Sequence, residues 1–191
     1  MNKLALILVM AASPSLWAAD RYVLDPEHTF PSFEIRHQKV SIMRGKFNRS
    51  VGQVVLDAQS PDGNLIEVIV DASSGDTGHD ELNRKLLGSN FFNTARFPEI
   101  RFVARDVTFK DGIPDSAQGE LTMLGVTRPV ALEIREFACG RHFPTLRNFC
   151  DADVHTTIRR SYFGMNYGSP RIVDEVNLAI EVEGFRQYPY N

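Results

Sequence analysis

Five histidines and two cysteines are the side chains here best suited to catalysis or metal binding, and their spacing organises neither. His28, His37, His79, His142 and His155 are scattered, with no ligand spacing on a common element. The chain has no Gly-rich phosphate loop, no HExxH and no CxxCH, and no Ser sits in a nucleophile elbow. Triads assemble in space, so absent motifs weigh little, but nothing in these residues demands an enzyme. Cys139 and Cys150 admit two readings. In an oxidising compartment such a pair bridges a loop, which should stabilise the fold by roughly 3 kcal/mol in the chain-entropy model. The competing reading adds His142 as a metal ligand, but three soft ligands are one short of a structural zinc site. The disulfide is the expectation, and no metal is assigned.

His37 belongs to an alternating stretch in which Phe33, Ile35 and His37 point one way and Glu34, Arg36 and Gln38 the other. Period two with one apolar face is a half-buried strand. Two readings of the imidazole stay open: a core histidine satisfied by a neighbouring carbonyl or hydroxyl, and a polar anchor deep in a ligand cavity.

The elements around it follow from pattern. Residues 1–19 read as a secretory signal peptide: Lys3, an apolar run over 4–12 too short to span a bilayer, a break at Ser13-Pro14-Ser15, and small residues at Ala18-Ala19. No lipobox cysteine accompanies it, so residues 20–191 are expected as one soluble periplasmic domain. A net charge of −3 and a pI of about 6.0 offer no basic footprint for nucleic acid. Thirteen Phe against five Tyr and one Trp supply large apolar area without a polar handle, suiting a big core or an apolar cavity.

Strand alternation recurs. Residues 40–44 read as a connector and 45–48 as the start of a strand. Further strands are expected over 52–57, 65–72, 100–109, 119–123, 128–137, 151–160 and 176–183, and 110–118 reads as an Asp-, Gly- and Pro-rich loop. Ile66, Val68 and Val70 share a face, as do Ile100, Phe102 and Ala104, and Val176, Leu178, Ile180 and Val182. The one helix spans 79–87, with Leu82, Leu86 and Leu87 on its apolar side and Gly88 as its stop. Phe91, Phe92 and Phe97 follow it at once, forming either a lid over a small core or the mouth of an apolar pocket. Many strands, one helix and no βαβ rhythm make the class all-β and antiparallel. Each strand has one apolar face, and closing a barrel removes the sheet edges, so an eight-stranded barrel with the short helix near its mouth is expected.

Four blocks of residues carry a family resemblance. They are Asp25-Pro26-Glu27-His28-Thr29 with Phe33, His37 and Arg44-Gly45-x-Phe47; Thr77-Gly78-His79 through Phe97-Pro98; Gly119-x-Leu121-Thr122-x-Leu124-Gly125-Val126-Thr127-Arg128-Pro129-Val130; and Arg160-Ser161-x-Phe163-Gly164-Met165. In order, over almost the whole mature chain, they resemble the YceI-like family. The resemblance implies a lipocalin-like barrel that binds polyisoprenoid or other long-chain lipids. The implied lining is Phe33, Ile35, Phe47, Leu86, Phe91, Phe92, Phe102, Met123, Ile158, Phe163 and Leu178. His37, Asn83 and Arg160 are the polar candidates for the ligand head. Arg160 also reads as a buried structural arginine paired to a carboxylate such as Asp25. Leu82-Asn83 and Tyr162 stand where many members carry charge, which shifts the expected head group from a pyrophosphate toward an isoprenoid quinone, an alcohol or a fatty-acid derivative. Three functions are therefore weighed. The first is a periplasmic lipid carrier, with a transient membrane or membrane-protein contact for transfer and a homodimer as further expectations. The second is an enzyme acting on such a lipid with His37 or His28 as acid or base. The third is a solidly packed structural or stress barrel. The first is preferred, with no cofactor beyond the bound lipid or quinone.

Overall fold

The computed structural model describes residues 19–187 except 39 and 144. The segment read as a signal peptide lies outside them apart from Ala19. The described strands are β1 (Asp20–Leu24), β2 (Phe30–His37), β3 (Ser41–Phe47), β4 (Ser50–Leu56), β5 (Leu65–Asp71), β6 (Gly75–Asp76), β7 (Glu99–Lys110), β8 (Ile113–Met123), β9 (Val126–Arg141), β10 (Asn148–Arg159) and β11 (Ile172–Gln187). The α-helix α1 (Asp80–Leu87) lies between β6 and β7. Eight segments close a ring in the order β1-β4-β5-β7-β8-β9-β10-β11, and β11 returns to pair with β1. This is a closed antiparallel eight-stranded β-barrel. The other three segments prolong it: β2 takes over from β1 along β11, β3 pairs with β2, and β6 pairs with β3. No described helix is long and apolar enough to cross a membrane.

Alternation dictates which side chains enter the barrel. Ala104, Phe102, Leu121, Val154 and Ile158 are buried, whereas Arg101, Glu120, Thr157 and Arg159 are exposed on the same strands. The break between β1 and β2 falls at Asp25–Thr29, where Pro26 brings no N–H. Thr29 repairs the seam: its hydroxyl donates to the Glu183 carbonyl (3.2 Å), and the Ser50 hydroxyl donates to the Thr29 carbonyl (2.7 Å).

Two expectations are corrected. Residues 40–44 are not a connector, because β3 starts at Ser41 and pairs with β2 as a tight hairpin. Gln38 takes a left-handed conformation there (φ 52°), so the chain reverses without the usual Gly, Asn or Pro signal. The stretch 110–118 is not a loop either; β8 begins at Ile113. A register shift between Thr108 and Phe109 seats Pro114 at an irregularity of the ladder, where its missing N–H costs no regular bond.

The helix is capped as its sequence demands. His79 at the N-cap accepts from the Leu82 N–H, Asp80 and Glu81 occupy the first turn, Arg84 and Lys85 the last, and the Gly88 N–H donates to the Lys85 carbonyl. Eight residues would not hold as an isolated helix, so packing must supply its stability. Leu86 and Leu87 reach the barrel beside Gly75, and Phe92 stands edge-on to Phe47 with ring centres 5.2 Å apart. Phe47 in turn packs on Phe33 at 5.9 Å. Cys139 and Cys150 are joined, bridging β9 to β10.

Candidate functional site

The barrel is not packed solid. Its interior holds a cavity of about 540 Å³, within the range of pockets that take small organic ligands. The wall includes β11 residues from Ile172 to Gly184, and that much strand, tilted to the barrel axis by about 35–45°, spans roughly 30 Å along it, so the lined space is long. Phe33 and Ile35 on β2, Phe47 on β3, Phe102 on β7, Met123 on β8, Ile158 on β10 and Leu178 on β11 all line it, as do Leu86, Phe91 and Phe92 from the helix region. Inward side chains of β5 and β9 (Ile66, Val68, Val70, Val130, Leu132, Ile134) complete an almost wholly apolar surface. Phe163 is buried in the adjoining core and is not part of the wall.

The charged side chains stand toward the ends, while the Thr29, Ser32 and Thr156 hydroxyls lie along the wall. Near the helix the wall includes His37, Arg44, Thr77, Lys85 and Tyr167; at the opposite end it includes Asp151. Among the described residues the His37 imidazole has no hydrogen-bond partner; its backbone is engaged, the carbonyl accepting from the Ser41 hydroxyl and the Val40 N–H. Arg44 and Lys85 are exposed and pair with Glu34 and Glu81. Asn83 does not reach the wall: its amide donates to Asp76 (2.8 Å) and its oxygen accepts from the Thr77 N–H and hydroxyl, locking the helix entry.

Arg160 touches the cavity but is spent on the backbone. It is 2% exposed, and its guanidinium donates to the carbonyls of Val173, Met165, Tyr167 and Ile172 at 2.7–2.9 Å. Burial pulls its pKa below the usual guanidinium value, opposed by Asp174. Asp174 caps the adjoining 3₁₀ turn (Arg160–Phe163) by accepting from the Ser161 N–H and hydroxyl. The proposed partner Asp25 is engaged elsewhere, on His28.

That second histidine sits on the barrel rim, outside the cavity wall. His28 Nδ1 lies 2.7 Å from Asp25 Oδ2 and 3.8 Å from Glu183 Oε1, and this hydrogen bond raises the imidazole pKa. Burial pushes the Asp25 carboxyl up, but bonds from His28 and the Glu27 N–H outweigh it and leave Asp25 below its usual value. Burial raises Glu183 and, across the ladder, Asp151. Asp25, His28 and Glu183 each offer a ligand atom within 4.8 Å of the others, the one group of this kind among the described residues.

The order of these features along the chain matches a known family. Residues 22–184 fit the description "YceI-like domain". The protein YceI of Escherichia coli O6:H1 is 32% identical over 181 residues, spanning 94% of this chain and 93% of its own length. The chain belongs to the YceI-like family. A UPF0312 protein of Yersinia pestis (strain Pestoides F) is 33% identical over 183 residues, spanning 95% of this chain and 94% of its own. Among solved structures, Burkholderia cenocepacia BcnA superposes on this YceI-like barrel with a TM-score of 0.69 at 21% identity, over 84% of this chain and 98% of that one. A polyisoprenoid binding domain from Saccharophagus degradans, implicated in plant cell wall breakdown, superposes with a TM-score of 0.63 at 14% identity, over 87% and 98%. At such identities the likeness is one of fold.

For this YceI-like chain, pattern reading found the apolar wall and missed much of the polar mouth. Lys85, a charged residue outside the helix's apolar set of Leu82, Leu86 and Leu87, lines the entrance. The signal was present: Lys85 stands three residues after Leu82 and beside Leu86, at the border of the apolar face. Tyr22 and Leu24, also in the wall, escaped because β1 is only five residues long and ends against Asp25-Pro26.

Proposed function

We propose that this protein holds one long-chain lipid of isoprenoid type inside its barrel and carries it within the periplasm. The ligand is an isoprenoid quinone, a polyprenyl compound or a fatty-acid derivative. The observation that carries this reading is the long, largely apolar cavity, whose charged side chains and His37 stand toward its ends and whose other polar lining is a few hydroxyls such as Thr29, Ser32 and Thr156. Each methylene moved from water into such a wall contributes about 0.8 kcal/mol; micromolar binding needs about 8 kcal/mol beyond association costs of at least about 4 kcal/mol, so roughly fifteen or more buried carbons are required, as a long isoprenoid or acyl chain supplies. The S. degradans domain with the same fold is described as polyisoprenoid binding, which fits. The head group belongs at the helix end, where the His37 imidazole is without a protein partner among the described residues and Arg44 and Lys85 stand at the entrance. Arg160, with four of its five N–H donors on carbonyls, shapes that end rather than binding the head.

An enzyme working through His37 would need a second polar group within hydrogen-bond reach of the imidazole. His28 has one in Asp25, but neither residue lines the cavity. The geometry therefore favours holding over turnover.

The deciding experiment is native mass spectrometry of the protein from a periplasmic extract, followed by organic extraction and lipid mass analysis. A stoichiometric long-chain species is expected. An apo mass that stays unchanged after incubation with isoprenoid quinones and fatty acids would sink the reading.

A further inference from the structure

Exposed apolar side chains stand at the cavity's helix end. Val40, at the tip of the β2–β3 hairpin, is 84% exposed; Ile42 beside it is 38% exposed, and Tyr167 on the facing loop 55%. The hairpin and this loop are tied together, since the Gln38 N–H donates to the Arg171 carbonyl at 2.7 Å and Ile172 pairs with His37. Tyr167 also packs edge-on against Phe91 of the helix region, with centres 5.4 Å apart. Hairpin, loop and helix thus form one continuous rim.

The charges on that rim are not balanced. Glu34 and Glu81 are paired with Arg44 and Lys85, and Asp76 keeps its charge among neutral donors, Asn83 and the Gly78 N–H, so five basic groups (Arg36, Arg44, Arg84, Lys85, Arg171) face four acidic ones (Glu34, Asp76, Asp80, Glu81), a net +1. Arg36 on the hairpin, Arg84 on the helix and Arg171 on the loop are exposed and have no carboxylate partner among the described residues; Asp76 and Asp80 are the acids without an ion pair against them. The rest of the molecule is acidic, with a net charge of −3 overall, so this cationic rim stands out against it. Protruding apolar tips surrounded by unpaired guanidinium groups suit an anionic lipid surface, where the tips enter the interface and the cations meet head groups.

We infer that the barrel docks by this rim on a bilayer that carries anionic lipid, with Val40 and Ile42 entering the interface and Arg36, Arg84 and Arg171 on the head groups. This deepens the lipid-holding reading and rests on it for its purpose: docking there aims the cavity entrance at the membrane, so a chain can pass without crossing water.

Flotation with vesicles tests it. The intact protein is mixed with vesicles of phosphatidylcholine containing phosphatidylglycerol, or of phosphatidylcholine alone, and compared with Val40→Asp and with Arg36→Gln/Arg84→Gln/Arg171→Gln. Thermal melts check folding, and uptake of a fluorescent isoprenoid probe is measured separately without vesicles. The wild type is expected to float with the anionic vesicles alone and to be released by salt. Both variants should bind these vesicles about tenfold more weakly while melting and taking up probe normally. Flotation indifferent to lipid charge, or unchanged in both variants, overturns the inference. So does a wild-type dimer, with no flotation, that Val40→Asp turns into a monomer, because the rim then belongs to a second copy. Charge-dependent flotation without probe uptake sustains the docking rim and sinks the lipid-holding reading instead.

Discussion

Arg160 shows how a residue can sit in a cavity wall and still be architectural. Its donors satisfy four carbonyls of the 165–173 segment, and those carbonyls would otherwise be left facing a low-dielectric interior. Replacing it by Met keeps the volume but orphans them, and is expected to destabilise the fold by about 3 kcal/mol in urea unfolding. His28 makes a different prediction. Its raised pKa means that its ion pair stabilises the fold fully below the ordinary histidine value, and that this contribution is lost as pH rises through the raised one. The lowered Asp25 contributes above the ordinary carboxylate value and loses its share as pH falls through the lowered one. Asp151 and Glu183 act in the opposite sense, favouring the folded state when protonated. The melting temperature should therefore fall as pH rises above the ordinary histidine value of about 6.5, and His28→Gln should flatten that fall. An unchanged slope in the variant would remove His28 from the account.

At the scale of elements, the barrel's helix end depends on close approach between β2 and β3. A Cβ on Gly45 would collide with the Phe33 ring and lie 2.9 Å from the Asp76 carbonyl oxygen of β6. Gly45→Val is thus expected to swing Phe33 out of the cavity wall and cost about 1–3 kcal/mol, visible as a lower denaturation midpoint and weaker probe uptake. Gly45 stood in the sequence as part of a motif, yet which ring crowds it depends on the pairing of Phe33 with Gly45 across the hairpin. The disulfide is an element-scale tie as well. Cys139 and Cys150 face each other across β9 and β10 beyond the last β8–β9 pairing, where β9 is held on one side only. Replacing both by Ala should cost roughly 3 kcal/mol, read from chemical unfolding, while the barrel below keeps its strand content by circular dichroism.

For the whole molecule, the question is how an interior stays wide enough to line a chain. Eight strands give a barrel near the limit between a filled interior and a ligand-holding one. Two buried clusters, one around Phe102, Ile158 and Phe163 and one around Phe33, Phe47 and Val70, share Phe92, Ile100, Val176 and Leu178 as bridging residues. The cavity survives in part because small side chains, Ala152 among them, sit in its wall. Ala152→Phe should fill that space, preserve or raise the melting temperature, and abolish uptake of a long-chain probe. Probe uptake that survives the substitution would place the ligand elsewhere.

The sequence alone determined the class of the fold and the identity of most of the wall, because period-two alternation assigns each side chain to a face and apolar faces have to meet. Thus Phe33 and Ile35, Ile66 to Val70, and Val176 to Val182 were legible before any pairing was known. So was the helix, whose capping histidine, charged ends and stopping glycine are local chemistry. What pattern could not decide were contacts set by pairing and register. Val40–Arg44 read as connector because the β2–β3 reversal relies on a left-handed Gln38 instead of a turn residue. Asn83 looked like a ligand contact until Asp76 and Thr77 claimed it, and Arg160 found carbonyls from a segment several residues downstream rather than the distant Asp25. Only barrel closure could settle whether the apolar faces would fill one another or leave a cavity, since that volume is the difference between the circumference of eight paired strands and the bulk of the side chains pointing inward.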